Sequence, residues 1–286
     1  MNNNVIRELP KAETAAILEL IWNKKEDIEN DSFNKVIRDD IFRLLENQCI
    51  VVYFPQEEED NNGFNVKYYL HGELRYFVYI NTAQYKEKQI FTAAHELGHI
   101  WDLLRWMEEK GFTGDEEWKE LVINRFAAEL LMPIDEFKDF ARKVSTDIRG
   151  RYKGNSKAAV KVVHIITALM NEFFCPYKSV VYRLYELGLI HNNNVKSLLN
   201  NQEIIEKLSS AIAVEQGYSR IYRPPDNLKW IVGLKDYLDQ AKQQEAMPEK
   251  WLESFYDLFN FDKPHQGDKF DVSLPEDINI GGETDA

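Results

Sequence analysis

His95-Glu96-Leu97-Gly98-His99 constrains this chain more than any other segment. Two histidines four apart stand one above the other on a helix, so both imidazoles can reach one metal ion while the glutamate between them stands beside it. A catalytic zinc takes neutral imidazoles, one further protein ligand and an open position for water. The segment must therefore be helical and must lie against another element that supplies the third ligand. Such a five-residue pattern arises by chance in about one chain in a hundred, so the surrounding sequence has to carry the rest.

With 286 residues and 44% hydrophobic content, the chain is long enough for one sizeable domain and a smaller one. Its formal charge of −13 excludes a protein that coats nucleic acid by neutralising phosphates. Cys49 and Cys175 are far apart and imply neither a disulfide framework nor a cysteine metal site. Residues 1–22 carry Arg7, Glu8, Lys11, Glu13 and Glu19 without an apolar stretch of signal-peptide length, and no apolar run approaches a membrane span. These features read as a cytoplasmic protein with no membrane association.

Apolar spacing predicts helices over Lys11–Glu29 and Phe33–Glu46. Strands are expected over Cys49–Phe54, Val66–Leu70 and Leu74–Ile80, the last two joined at His71-Gly72-Glu73, with a solvated acidic loop over residues 57–63. The histidines sit on a helix predicted from Gln84 to Trp106, and a second helix runs from Asp115 to Met132, ended by Pro133. Further helices are expected over Asp135–Lys143, Lys157–Phe174, from Pro176 on, Leu228–Lys242 and Pro248–Phe259. Between Arg149 and Ile190 seven Lys or Arg face two Glu, a net of +5 and the one basic region of an acidic chain. The acid-rich stretch from Asp268 reads as disordered.

Downstream carboxylates are the candidates for the third ligand. Asp102 on a continuous helix would sit two turns from His95, about 10 Å along the axis, too far to share one ion. A metzincin pattern is absent, because Asp102 and Arg105 stand where it needs Gly and His. A separate helix must supply the ligand, and Glu120 fits best, at the head of a helix with an apolar packing face. Asn124, four residues on, shares its face and can accept the distal N–H of an imidazole. Glu129 reads as structural or solvated, and His71, His164, His191 and His265 as ordinary turn, core or loop residues.

Phe91-Thr-Ala-Ala-His95-Glu96-Leu-Gly-His99 followed by Asn124-Arg-Phe-Ala-Ala-Glu-Leu-Leu-Met-Pro133 closely resembles the ImmA/IrrE family of zinc metallo-endopeptidases. The resemblance covers about residues 40–190. It makes Glu120 the third ligand; Ile123 replaces the family's Ala, a departure that adds bulk and removes no ligand. Ile80-Asn81 resembles the strand end before the family's zinc helix. The resemblance implies an α+β fold, with a small mixed or antiparallel sheet and a zincin-type helix, followed by an all-helical region similar to a helix-turn-helix around Phe173–Ile190. The expected division is 1–147 for the metallopeptidase domain, 148–262 for the helical domain and 263–286 for an acidic tail.

The implied chemistry has one zinc per chain, with manganese as the alternative, on His95, His99 and Glu120, and Glu96 as the base for the attacking water. Tyr85 and Arg125 are oxyanion candidates by nearness in the chain, and a strand edge near Arg75–Ile80 is a candidate for aligning an extended substrate. The resemblance further implies a helix-turn-helix repressor of a mobile element, phage or stress regulon as substrate. The competing readings are a non-proteolytic module binding a repressor or DNA, and a small-molecule zinc hydrolase. Glu96 argues against the first, since a structural zinc site uses four protein ligands and needs no base. For the basic helix, core packing by Val180, Val181, Leu184 and Leu187 is favoured over direct DNA contact.

Overall fold

The computed structural model describes residues 8–27, 36–57, 62–70, 72–152 and 158–261. The fold is α+β, mostly helical, around one small mixed sheet. It opens with α1 (Lys11–Asp27), which buries Ala16, Ile17, Leu20 and Ile21. The next helix, α2, spans only Asp40–Glu46 and does not begin at Phe33 as the apolar spacing predicts. Val36 and Ile37 are non-helical, and Arg38 adopts a left-handed φ of 51° while its guanidinium binds the backbone oxygen and carboxylate of Glu172, so the chain turns just before the helix starts.

Three strands follow, β1 (Ile50–Phe54), β2 (Gly63–Leu70) and β3 (Glu73–Asn81). β2 and β3 form the expected antiparallel hairpin, while β1 pairs with β3 in parallel, Ile50 opposite Phe77 through Phe54 opposite Asn81. The strand order is β2-β3-β1-β4, so β3 is interior. The expectation of a free edge near Arg75–Ile80 is therefore wrong, and the edge next to β3 is β2.

The sheet feeds α3 (Lys86–Ile100), whose Ile90, Ala93, Ala94, Leu97 and Gly98 are buried. The predicted helix to Trp106 is broken: Asp102 takes a left-handed φ of 54°, and α4 (Leu103–Glu109) starts anew beyond it. Asp tolerates that conformation better than most residues, and its carboxylate is held by Lys67 at 3.1 Å. The continuous helix assumed in setting Asp102 aside does not exist, and Asp102 is occupied by an ion pair instead.

α5 (Glu116–Leu131) is capped as its sequence suggests, the Asp115 carboxylate accepting from the Trp118 N–H at 2.8 Å. α6 (Ile134–Arg151) outruns its predicted end at Lys143, because Phe137, Ala141, Val144 and Ile148 continue the buried stripe at helical spacing. α7 (Ala158–Phe173) and α8 (Tyr177–Glu186) follow, the latter started by Pro176. Two polar-rich helices, α9 (Asn192–Asn200) and α10 (Gln202–Glu215), have no counterpart in the sequence reading. Leu228–Lys242 is not one helix: Trp230–Ile231 forms β4, antiparallel to β1, and Gly233, at φ 77°, separates it from α11 (Leu234–Gln243). α12 (Glu249–Phe259) matches its prediction.

Residues up to Val232 form one compact unit with a continuous apolar core from Ala16 to Ile221. Residues 233–261 form a second, in which Tyr256 donates a hydrogen bond from α12 to Asp239 of α11. The acidic tail expected over 263–286, His71 and His265 lie outside the described residues. Among those described, no single helix is long and apolar enough to cross a membrane.

Candidate metal centre

The strand-to-helix joint sets the position of α3. Asn81, buried at the end of β3, accepts from the N–H groups of Gln56 and Ala83 and donates to the Gln56 carbonyl. Gln89 donates to the carbonyls of Thr82 and Gln84, tying the first turn of α3 to the same joint. From there the helix's apolar face packs against α5, where Gly98 leaves room for Phe126: a Cβ at position 98 would lie 3.0 Å from the Phe126 ring. Close approach of the two helices brings the polar face of α3 alongside the first turns of α5.

Three donors converge there. His95 Nε2 and His99 Nε2 are 3.3 Å apart, and a Glu120 carboxylate oxygen lies 3.8 Å from His95 Nε2, so one atom from each residue falls within 4.8 Å of the others. His95 turns its other nitrogen to Asn124, whose amide oxygen lies 3.1 Å from Nδ1. An amide oxygen only accepts, so Nδ1 carries a proton and Nε2 is the nitrogen left to bind a metal. Burial, together with His95 and Lys67, pushes the pKa of His99 down to about 4, so this imidazole is neutral at pH 7.

This donor set fits a metal ion. With its proton on Nδ1, His99 turns its Nε2 lone pair to the same point as His95 Nε2, where a cation can bind both. Nitrogens bound at about 2.0–2.1 Å at a tetrahedral angle sit about 3.3 Å apart, the separation of the two Nε2 atoms. The carboxylate of Glu120 is exposed on the open side, which leaves room for a water or substrate.

Glu96 lies beside the cluster and is only 4% exposed. Burial raises its pKa, opposed by a hydrogen bond from Asn65 and by His95, and reinforced by Glu120. The Asn65 amide on β2 donates to Glu96 Oε2 at 2.7 Å. Sequence reasoning passed over Asn65: a lone Asn inside Gly63-Phe-Asn-Val-Lys-Tyr-Tyr-Leu70 carries no signal until the strand is laid against the helix.

A cavity of about 590 Å³ opens from Glu120 and Asn124 and runs past Phe91 and Leu121 to Lys178 and Tyr182 on α8. Arg125 lines it with two of its donors engaged, one to Glu129 at 2.9 Å and one to Glu186 at 2.8 Å, and Tyr85 does not line it. Glu129 is wholly buried and takes both terminal nitrogens of Arg183, at 2.8 and 2.6 Å. Arg183 itself is inaccessible, as are Val180 and Val181, so this face of α8 packs in the core. His164 is buried against the Tyr152 hydroxyl, and His191 caps α9.

Residues 47–185 match peptidase family M78, the IrrE N-terminal-like domain, and the stretch contains β1 to α8 with every residue of the cluster. Residues 47–185 form a domain of the ImmA/IrrE family. It is a peptidase-family domain whose histidine pair and Glu120 could hold a metal ion. No curated protein matches the chain.

Proposed function

We propose that this chain is a cytoplasmic, zinc-dependent endopeptidase that cleaves a helix-turn-helix repressor of a mobile element, phage or stress regulon. The observation that carries the enzymatic part is the convergence of His95, His99 and Glu120 within 4.8 Å, with a buried glutamate beside them, inside a peptidase-family domain. The repressor as substrate rests on the family resemblance alone.

His95, His99 and Glu120 would hold zinc, which supplies Lewis-acid polarisation of the scissile carbonyl and a more acidic water. Asn124 fixes the His95 tautomer that leaves Nε2 unprotonated. Glu96 takes the proton of the attacking water and delivers it to the leaving amine, and its raised pKa suits both halves of that task. An extended substrate pairs along the edge strand β2 in place of the interior strand β3, and continues into the cavity between α5 and α8. The helical part of 148–262 then serves packing and substrate contact; the burial of Arg183 and its neighbours on α8 weighs against reading this helix as a DNA-recognition element. Incubating the zinc-loaded protein with a repressor beside Glu96→Gln and a chelated sample tests the proposal: cleavage in the first tube only supports it, and cleavage that survives both controls refutes it.

A further inference from the structure

Strand β2 lies along α3 like a rail, meeting it at Gly63 and Asn65 and reaching just past its end at Lys67. A Cβ at Gly63 would lie 2.6 Å from Thr92 Cγ2, Asn65 reaches Glu96 at 2.7 Å, and Lys67 reaches Asp102 at 3.1 Å. The spacings agree, since two strand residues advance about 6.7 Å and the four helix residues from Thr92 to Glu96 advance about 6 Å. A period of two sends 63, 65 and 67 to one face of the strand, so the register that seats glycine under Thr92 also delivers the Asn65 amide to the glutamate. Gly63 is required for this approach, because its Cβ would equally strike the Tyr79 carbonyl oxygen at 2.6 Å.

We propose that Asn65 is the positioning residue of Glu96, its amide seating one carboxylate oxygen so that the other is held for proton transfer at the metal cluster. Among the described residues Asn65 provides the one side-chain hydrogen bond to Glu96, and it goes to Oε2, leaving Oε1 without a side-chain donor. The choice of an amide is chemically apt: a Lys or Arg here would hold the glutamate as a permanent ion pair, whereas a neutral donor orients the carboxylate and leaves it a working base. Because the amide comes from the edge strand, pairing of a substrate along β2 and seating of the base share one element. Calling Glu96 a base rests on the endopeptidase reading; the seating itself rests on geometry.

The test uses the full-length, zinc-loaded chain and Asn65→Ala, with cleavage of a proteome-derived peptide mixture, zinc affinity by competition with a chromophoric chelator, and unfolding in urea. Expected are a kcat lower by about 10–100-fold, with KM and zinc affinity within about twofold of the parent. A kcat within threefold of the parent overturns the proposal, as does a loss that KM or zinc affinity shares equally. A double-mutant cycle with Glu96→Ala reads the pair without catalysis: coupling above about tenfold in the unfolding constant supports the seating, and coupling below about twofold overturns it. Should Asn65→Ala not fold, the Asn65 side-chain amide signal of the nitrogen-15-labelled parent decides, since Glu96→Ala must shift it if the bond exists. A parent that cleaves nothing while the coupling persists removes the endopeptidase reading and leaves Asn65 as the seat of Glu96.

Discussion

Removing the guanidinium of Arg183 exposes how α5 and α8 are held together. The residue is 0% exposed, as is the side chain of Glu129, and the guanidinium makes two bonds to that carboxylate and two to the Met132 carbonyl, at 2.6–3.0 Å. In Arg183→Met, Glu129 keeps only the bond from Arg125 at 2.9 Å, and the Met132 carbonyl loses both of its donors from Arg183. Breaking one half of a buried pair costs about 3–5 kcal/mol, because the remaining charge cannot reach water. Replacing both halves, as in Arg183→Met with Glu129→Leu, removes the stranded carboxylate and should recover a large part of that loss. Urea unfolding followed by tryptophan fluorescence measures both variants. A cost below about 1 kcal/mol for Arg183→Met, or a double variant less stable than the single one, would refute the reasoning.

Other outcomes follow from single contacts. Gly98→Ala brings a methyl to 3.0 Å from the Phe126 ring, which must give by a few tenths of an ångström in a buried contact; a cost of about 1–3 kcal/mol in thermal unfolding and weaker zinc binding are expected. Asn124→Ala removes the acceptor that fixes the His95 tautomer and should lower zinc affinity about 10–100-fold, measured by chelator competition. Glu87 is 2% exposed, its Oε2 has no hydrogen-bond partner among the described residues, and burial raises its pKa, with Glu206 adding to the rise and Lys88 and the Tyr222 N–H opposing it. The folded state therefore binds this proton more tightly than the unfolded state does, and stability falls as pH rises from the unfolded value through the raised folded one. Glu87→Gln should stabilise by about 1 kcal/mol above that window and by nothing measurable below it, in urea melts at pH 4 and pH 8.

The elements that the sequence makes legible are those whose local signals agree. Asp115 caps α5, Pro133 follows its end, and apolar spacing on both helices places His95, His99 and Glu120 on faces that the fold brings together. Asn124 could be placed beside an imidazole because residues four apart share a helical face. The misreadings occur where tertiary structure overrides local pattern. Asp102 breaks a helix that its neighbours would continue, taking a left-handed φ of 54° and pairing with Lys67 of a distant strand. Trp230–Ile231 leaves a helical pattern to extend the sheet against β1, and Arg38 turns the chain before α2 toward a glutamate 134 residues away. Strand order was equally hidden: nothing in Arg75–Ile80 says that β1 pairs with it from Phe77 on. Asn65 was missed for the same reason, since its meaning lies in the register between a strand and a helix.

Cleavage of a helix-turn-helix repressor by the purified, zinc-loaded chain tests the central claim most directly. The account predicts discrete fragments from the parent, none from Glu96→Gln and none after chelation, with cutting restored by added zinc. Intact repressor in every tube, bound to a chain that retains its zinc, would contradict it and leave a regulatory binding module in its place.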